Sequence, residues 1–306
     1  MKTGALVLSV SLLIAALAGS AACNSPVTTS GKKAIVVTYS ILGSIVKELV
    51  GDAASVSVSI PNGLDPHEWE PSAKDIEKLN RADLIVQNGL GLEGGMEKAL
   101  AQAKANGVRL FTASDYITVR HVGPGEGIPS GDPDQAIGAP DPHLWTDPLA
   151  MKNIVAALAE YLKANLDINV DARSLDIQTQ LDLLNTQVAA EVAALPQDSR
   201  KLVTGHESMG YFAQRYGFKL VGALVPSLSS QANVSAGDLA ALKQLILDNN
   251  VKVIFAEVGT SGAVASAIAS ETGARVVELS THILPSDGSY FTFETQLAET
   301  IVNALK

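Results

Sequence analysis

Five histidines occur in 306 residues, and two of them sit in nearly the same pentapeptide. Asp65-Pro66-His67-Glu68-Trp69 and Asp141-Pro142-His143-Leu144-Trp145 also hold the chain's only two tryptophans. In each, Pro fixes the backbone ahead of the His, and the indole two residues on is placed to shield one side of the imidazole. A third, His206, lies in Thr204-Gly205-His206-Glu207-Ser208, and a fourth, His282, follows Leu279-Ser280-Thr281. Imidazole must be neutral to ligate a metal, and at pH 7 it largely is. Four imidazoles on one ion make a closed tetrahedral nitrogen site, which suits Zn²⁺ best and also holds Cu²⁺ or Ni²⁺. Such a set is expected to release its ion as pH falls through the range where free histidine protonates.

The fifth histidine, His121, stands in a Gly/Pro-rich loop with no partner in spacing and reads as solvated surface. Glu68 and Glu207 each adjoin a candidate ligand and are alternative ligands or charge partners. Glu257 and Asp287 are carboxylates placed to hydrogen-bond a ligand ring. Neighbouring helical positions diverge by about 100°, so His206 and Glu207 are not expected to ligate together. There is no G-x-S-x-G, no H-E-x-x-H, no phosphate-binding glycine loop and no cysteine pair, so no catalytic residue is assigned.

The elements that must position these histidines alternate short β-branched runs with amphipathic segments, the pattern of βαβ units on a parallel sheet. Strands are expected at 34–38, 56–60, 83–87 and 108–112, with helices ending at Gly51 and over 72–81 and 93–106. The series returns with strands at 201–204, 218–224, 251–257 and 274–279, a helix ending at Gly217, and helices over 235–249 and 261–272. Val37-Thr38 and Gly51 match Val203-Thr204 and Gly217 at one offset, so the halves follow one plan.

Between them lie a Gly/Pro/Asp-rich loop at 121–142, a helix at about 148–165 and a helical stretch at about 170–195. Leu175, Leu181, Leu184, Val188 and Val192 give that stretch a near-3.6 period, and Pro196 ends it. At roughly 25 residues it would be about 38 Å long, a stiff brace across both halves. The fold class is therefore α/β, with two lobes of mainly parallel four-stranded sheets bridged by one long helix. The boundaries are 33–168, 169–197 and 198–306. Ligands of open parallel sheets bind beyond the carboxyl ends of the strands, where all four histidines lie, which places the metal site in the cleft between lobes.

The net charge of −10, with no Lys/Arg cluster, argues against nucleic acid, since tracking phosphates needs a basic stripe. Leu6 to Ala22 is an apolar, small-residue run behind Lys2, too short for an anchor and read as a signal peptide over 1–22. It stops at Cys23, the only cysteine, in Ser20-Ala21-Ala22-Cys23, which is similar to a bacterial lipobox, so lipidation at Cys23 and a tether over 23–32 are expected.

At NGLDPHEWEPSAKDIEKLNRADLIVQNGLGLE (62–93), DPHLWTDP (141–148), VTGHESMGYFAQRYG (203–217), VKVIFAE (251–257) and ELSTHILPSDGSYF (278–291) the chain resembles the metal-binding solute receptors of bacterial ABC importers. The resemblance runs from Lys33 to Lys306. It implies a non-enzymatic zinc or manganese receptor, exported and held on the outer face of the cytoplasmic membrane or in the periplasm. Such a receptor delivers its ion to a permease and its ATPase. Membrane contact would be through a lipid anchor only, and the receptor a monomer.

The resemblance also implies the ligand set His67, His143, His206 and His282. The family's fourth ligand is usually an acid, so His282 is a departure that removes a hard oxygen and moves the site from Mn²⁺ toward Zn²⁺. The alternatives are a Mn²⁺ receptor of the same importer class and a surface adhesin whose metal is structural. A zinc hydrolase would need an open coordination position with Glu68 or Glu207 as base, which four protein ligands close.

Overall fold

Strand β1 (Lys33–Tyr39) is buried along most of its length, as a strand covered on both faces must be. It pairs in parallel with β2 (Ala54–Ile60) and β3 (Leu84–Gln87), and β3 with β4 (Arg109–Thr112), giving the order β2-β1-β3-β4. The crossovers carry α1 (Ser40–Val50), α2 (Ala73–Asn80) and α3 (Glu97–Ala105). This is a computed structural model, and it describes residues 31–126 and 136–306. The signal segment, Cys23, most of the expected tether, and Asp132 and Asp134 of the Gly/Pro-rich loop lie outside those residues. The two glycines that match between halves do the same work. Gly51 and Gly217 follow α1 and α6 (Gly210–Tyr216) at positive φ, and their N–H groups close the last turns on Lys47 and Ala213.

In the second half β5 (Lys201–Thr204) pairs with β6 (Lys219–Ala223), and β7 (Val253–Ala256) with β8 (Arg275–Glu278), all in parallel. The sequence reading expects one four-stranded sheet here. The structure instead forms two ladders of two strands, with β5 beside β7. A register slip between Leu202 and Val203 falls in the middle of a four-residue strand and leaves few in-line groups for a third partner. Helices α7 (Ala236–Asp248) and α8 (Gly262–Thr272) complete this half.

Two long helices join the halves. Asp147 caps α4 (Pro148–Leu166), its Oδ1 accepting the Leu149 N–H at 2.9 Å, with Pro148 in the first turn. Helix α5 (Asp171–Ala193) is a single rod of 23 residues, about 35 Å long. It packs on α4, α1 and the C-terminal helix α9 (Tyr290–Leu305), which the sequence reading leaves unassigned. The buried stripe of α5 is Ile177, Leu181, Leu184, Val188 and Val192. Leu175, expected in that stripe, is 68% exposed, because two residues from Ile177 is about 200° around the helix.

Residues 32–306 form one compact unit. Its larger apolar cluster runs from β1 and β3 through α4, α5 and α9 to Leu202 of β5 and Phe255 of β7. A smaller cluster, with Val203, Leu242, Ile246 and Ile254, stays within the second half. Leu181→Ala is expected to cost about 2–5 kcal/mol of stability. Leu175→Ala on the same helix is expected to cost no more than about 0.5 kcal/mol. Denaturant unfolding of the two variants checks the pair, and equal losses would contradict the burial stripe. Among the described residues no helix is long and apolar enough to cross a membrane.

Candidate metal centre

Each candidate ligand follows the carboxyl end of a strand, directly or by a longer exit. His67 comes after β2, His143 after the exit from β4, His206 after β5 and His282 after β8. In both D-P-H motifs the aspartate turns back on its own histidine: Asp65 Oδ1 accepts the His67 N–H, and Asp141 Oδ1 the His143 N–H, each at 2.9 Å. This Asx turn and the fixed φ of proline set the loop so that the ring points inward. Asp141 Oδ1 also lies 2.9 Å from His143 Nδ1, and Arg120 Nη1 donates to Asp141 Oδ2 at 3.1 Å.

The second half holds its pair differently. His206 Nδ1 is 2.9 Å from Glu257 Oε2, and His282 Nδ1 is 2.9 Å from the Thr281 hydroxyl. The His206 and His282 rings stack with centroids 5.4 Å apart and planes 21° from parallel. Trp145 closes one side of the centre, its ring 5.3 Å from that of His143 and 5.2 Å from that of His282, with its indole N–H donated to Thr281 O at 2.9 Å. Trp69, which the sequence places to shield His67 in the same way, packs instead at the edge of the main core.

One candidate ligand atom from each of the four histidines lies within 4.8 Å of the others. His143 Nε2 is 3.1 Å from His206 Nε2 and 3.3 Å from His67 Nε2. Nitrogens at 2.0–2.1 Å around one ion in a tetrahedron are about 3.3 Å apart, which these two separations match. Asp141 sits behind His143 as a hydrogen-bond acceptor, so Nδ1 carries the hydrogen in that ring and its Nε2 lone pair faces the other rings, while the Glu257 carboxylate lies against His206 Nδ1 as a charge. His282 Nε2 is buried with no hydrogen-bond partner. Lone pairs gathered this closely, out of water, are satisfied by a cation.

Burial controls the charge of these rings. It lowers His143 well below the usual imidazole range, with His206 and His67 adding to the shift. It brings His282 down to about 3 and His67 to about 4, helped in both by His206. His206 goes the other way: burial works to lower it, but the Glu257 charge beside it raises it on balance. Three of the four imidazoles are therefore held neutral and ready to ligate.

The other candidates fall outside the cluster. Glu68 is exposed and accepts from Gln231 Nε2 at 2.6 Å. Asp287 is exposed just ahead of α9, accepting from the Ser289 N–H at 3.0 Å and the Thr292 hydroxyl at 2.7 Å. Glu207 is buried beside His206, yet its carboxyl shares the surroundings of Arg120, Asp141 and Glu126. Burial, reinforced by Glu126 and Asp141, pushes it up to about 8. His121 is exposed, as expected of a solvated residue. The partners that sequence reasoning missed are Asp65, Asp141, Arg120, Ser208 and Thr281. The repeated aspartate two residues before each motif histidine was the available signal for the first two.

Rings from both halves meet on one enclosed point, an arrangement that could surround an ion and would not present it to a substrate. A profile described as zinc-uptake complex component A, periplasmic (ZnuA), matches residues 35–304, and the chain belongs to that family. It is thus a metal-binding solute receptor and not an enzyme. It is similar to the high-affinity zinc uptake system protein ZnuA of Bacillus subtilis, 30% identical over 280 residues that cover 88% of this chain and 85% of that protein. It is also similar to the manganese-binding lipoprotein MntA of Halalkalibacterium halodurans, 26% identical over 98% of this chain and 93% of that one. Among solved structures, the periplasmic zinc-binding protein TroA of Treponema pallidum superposes with a TM-score of 0.74 at 27% identity, covering 90% of this chain and 99% of that chain.

Proposed function

We propose that this receptor captures one Zn²⁺ per chain through His67, His143, His206 and His282 and delivers it to an ABC permease and its ATPase. Relatives bear the names of zinc and of manganese binders, so the choice of metal turns on the donor set. The observation that carries the reading is the group of four imidazoles with no carboxylate among the converging atoms. Mn²⁺ prefers hard oxygen ligands, whereas an all-nitrogen tetrahedron suits Zn²⁺. In this reading 33–168 and 198–306 are the two lobes, 169–197 the brace that limits closure to a small rocking, Cys23 the lipid attachment point, and the receptor a monomer.

Protein purified without added metal is expected to carry about one zinc per chain. With Zn²⁺ and Mn²⁺ at equal concentration, zinc should occupy the site. Displacement of zinc by manganese would overturn the metal assignment. For the transport role, deleting the gene should impair growth under zinc limitation, with rescue by the wild-type chain and not by His143→Ala.

A further inference from the structure

The carboxylate of Glu257 is buried at the end of β7, outside the group of converging ligand atoms. Oε1 accepts the Gly205 N–H at 3.2 Å, and the Ser208 hydroxyl donates at 2.9 Å to either oxygen. Oε2 faces His206 Nδ1 at 2.9 Å and accepts the Thr281 hydroxyl at 3.2 Å. The backbone of Glu257 is pinned as well, its N–H donating to Thr260 Oγ1 at 3.2 Å and its carbonyl accepting from that hydroxyl at 2.6 Å. Three groups hydrogen-bond this carboxylate, Ser208 reaching both oxygens, and the His206 ring lies against Oε2 as well. It is saturated, and so is not a spare ligand.

Thr281 has one hydroxyl hydrogen, and because a carboxylate oxygen only accepts, the 3.2 Å contact with Glu257 Oε2 is a hydrogen bond only with that hydrogen directed to it. Toward His282 Nδ1, 2.9 Å away, the same oxygen therefore presents a lone pair. That contact is a hydrogen bond only if His282 carries its hydrogen on Nδ1, which leaves the buried, partnerless Nε2 as a lone pair facing the other rings. From these contacts we infer that Glu257 is a positioning residue for both second-half ligands: it sets the ring tautomer of His282 through Thr281 and lies as a charge against Nδ1 of His206. The first half has no such sharing: Asp141 serves His143, and Asp65 Oδ1 serves only the backbone of His67.

The inference rests on the four-histidine zinc reading, and its tests separate from that reading. In the full chain, Glu257→Gln is expected to lower zinc affinity about 10- to 100-fold, the usual cost of losing such a partner. Thr281→Val should lower it in the wild-type background and have no further effect in a His282→Ala background, while Thr281→Ser should restore wild-type binding. In metal-free protein, nitrogen-15 correlation spectra should report His282 as the Nδ1–H tautomer, a state lost in Thr281→Val. Should Glu257→Gln not fold, the Val and Ser variants at Thr281 still decide the matter. The inference is overturned by an Nε2–H tautomer at His282, by unchanged zinc affinity in Glu257→Gln, or by a Thr281→Val loss that persists without His282. A wild-type chain that takes up no zinc overturns the functional reading, while the tautomers, read without metal, still decide this one.

Discussion

His143→Ala is expected to weaken zinc binding by about 100- to 1000-fold, because a tetrahedral zinc worth about 10–16 kcal/mol spread over four ligands loses about 3–4 kcal/mol with one of them. His143 is the central ring: its Nε2 approaches those of both His206 and His67, and it is fully buried. Water cannot easily take its place. His67 is only partly buried, so water can enter its position and His67→Ala should cost less. Chelator competition at pH 7.5 measures both. A His143→Ala variant within about tenfold of wild type would remove this residue from the ligand set.

Zinc affinity should fall only gently between about pH 6.5 and 5 and steeply below about pH 4. Protons compete with the metal for each nitrogen, so affinity falls as pH falls, starting for each ring at its own pKa. His206, raised by Glu257, protonates first and accounts for about one proton over the upper range. His67 and His282, at about 4 and 3, and the depressed His143 join only later. Four ordinary imidazoles would each lose about 1.5 decades by pH 5, so holding three back preserves about four decades of affinity. The sequence expectation of release through the free-histidine range leaves out burial, and the two expectations part between about pH 6.5 and 5.

The slope of log affinity against pH is the measurement. A slope near four protons between pH 6.5 and 5 would show that the rings titrate as if in water. The same shifts make metal-free protein less stable as pH falls from 6.5 toward 4, because the unfolded chain takes up protons that folded His67 and His282 refuse.

The succession of strands along the chain was legible in both halves, though not their arrangement in the second, because buried parallel strands leave uninterrupted apolar runs such as Ile35-Val36-Val37. The four histidines were legible because two share a motif and all follow strands. Helix α9 was not: it opens on Tyr290-Phe291-Thr292-Phe293, a run with the composition of a strand, and its helical spacing emerges only through Leu297 and Ile301. Leu175 was misplaced because Ile177, two residues on, offers an equally apolar alternative, and only packing against the neighbouring helices chooses between them. Adjacency to a ligand also proved a poor guide to direction. Glu68 follows His67 yet turns to Gln231, while Glu257, remote in sequence from both of its histidines, lies against one and reaches the other through Thr281.

The last part of the chain returns to the first. The Ser44 hydroxyl donates to Gly288 O at 2.7 Å and accepts the Tyr290 N–H at 3.0 Å, and Asn62 exchanges two bonds with the backbone of Leu284. Helix α9 then lies on α1 and α5. Residues near position 50 thus find part of their final surroundings only in residues beyond 280, so neither half can finish folding as the chain is being made. Loop closure over such separations is slow, and the order of events is set by the last residues synthesised.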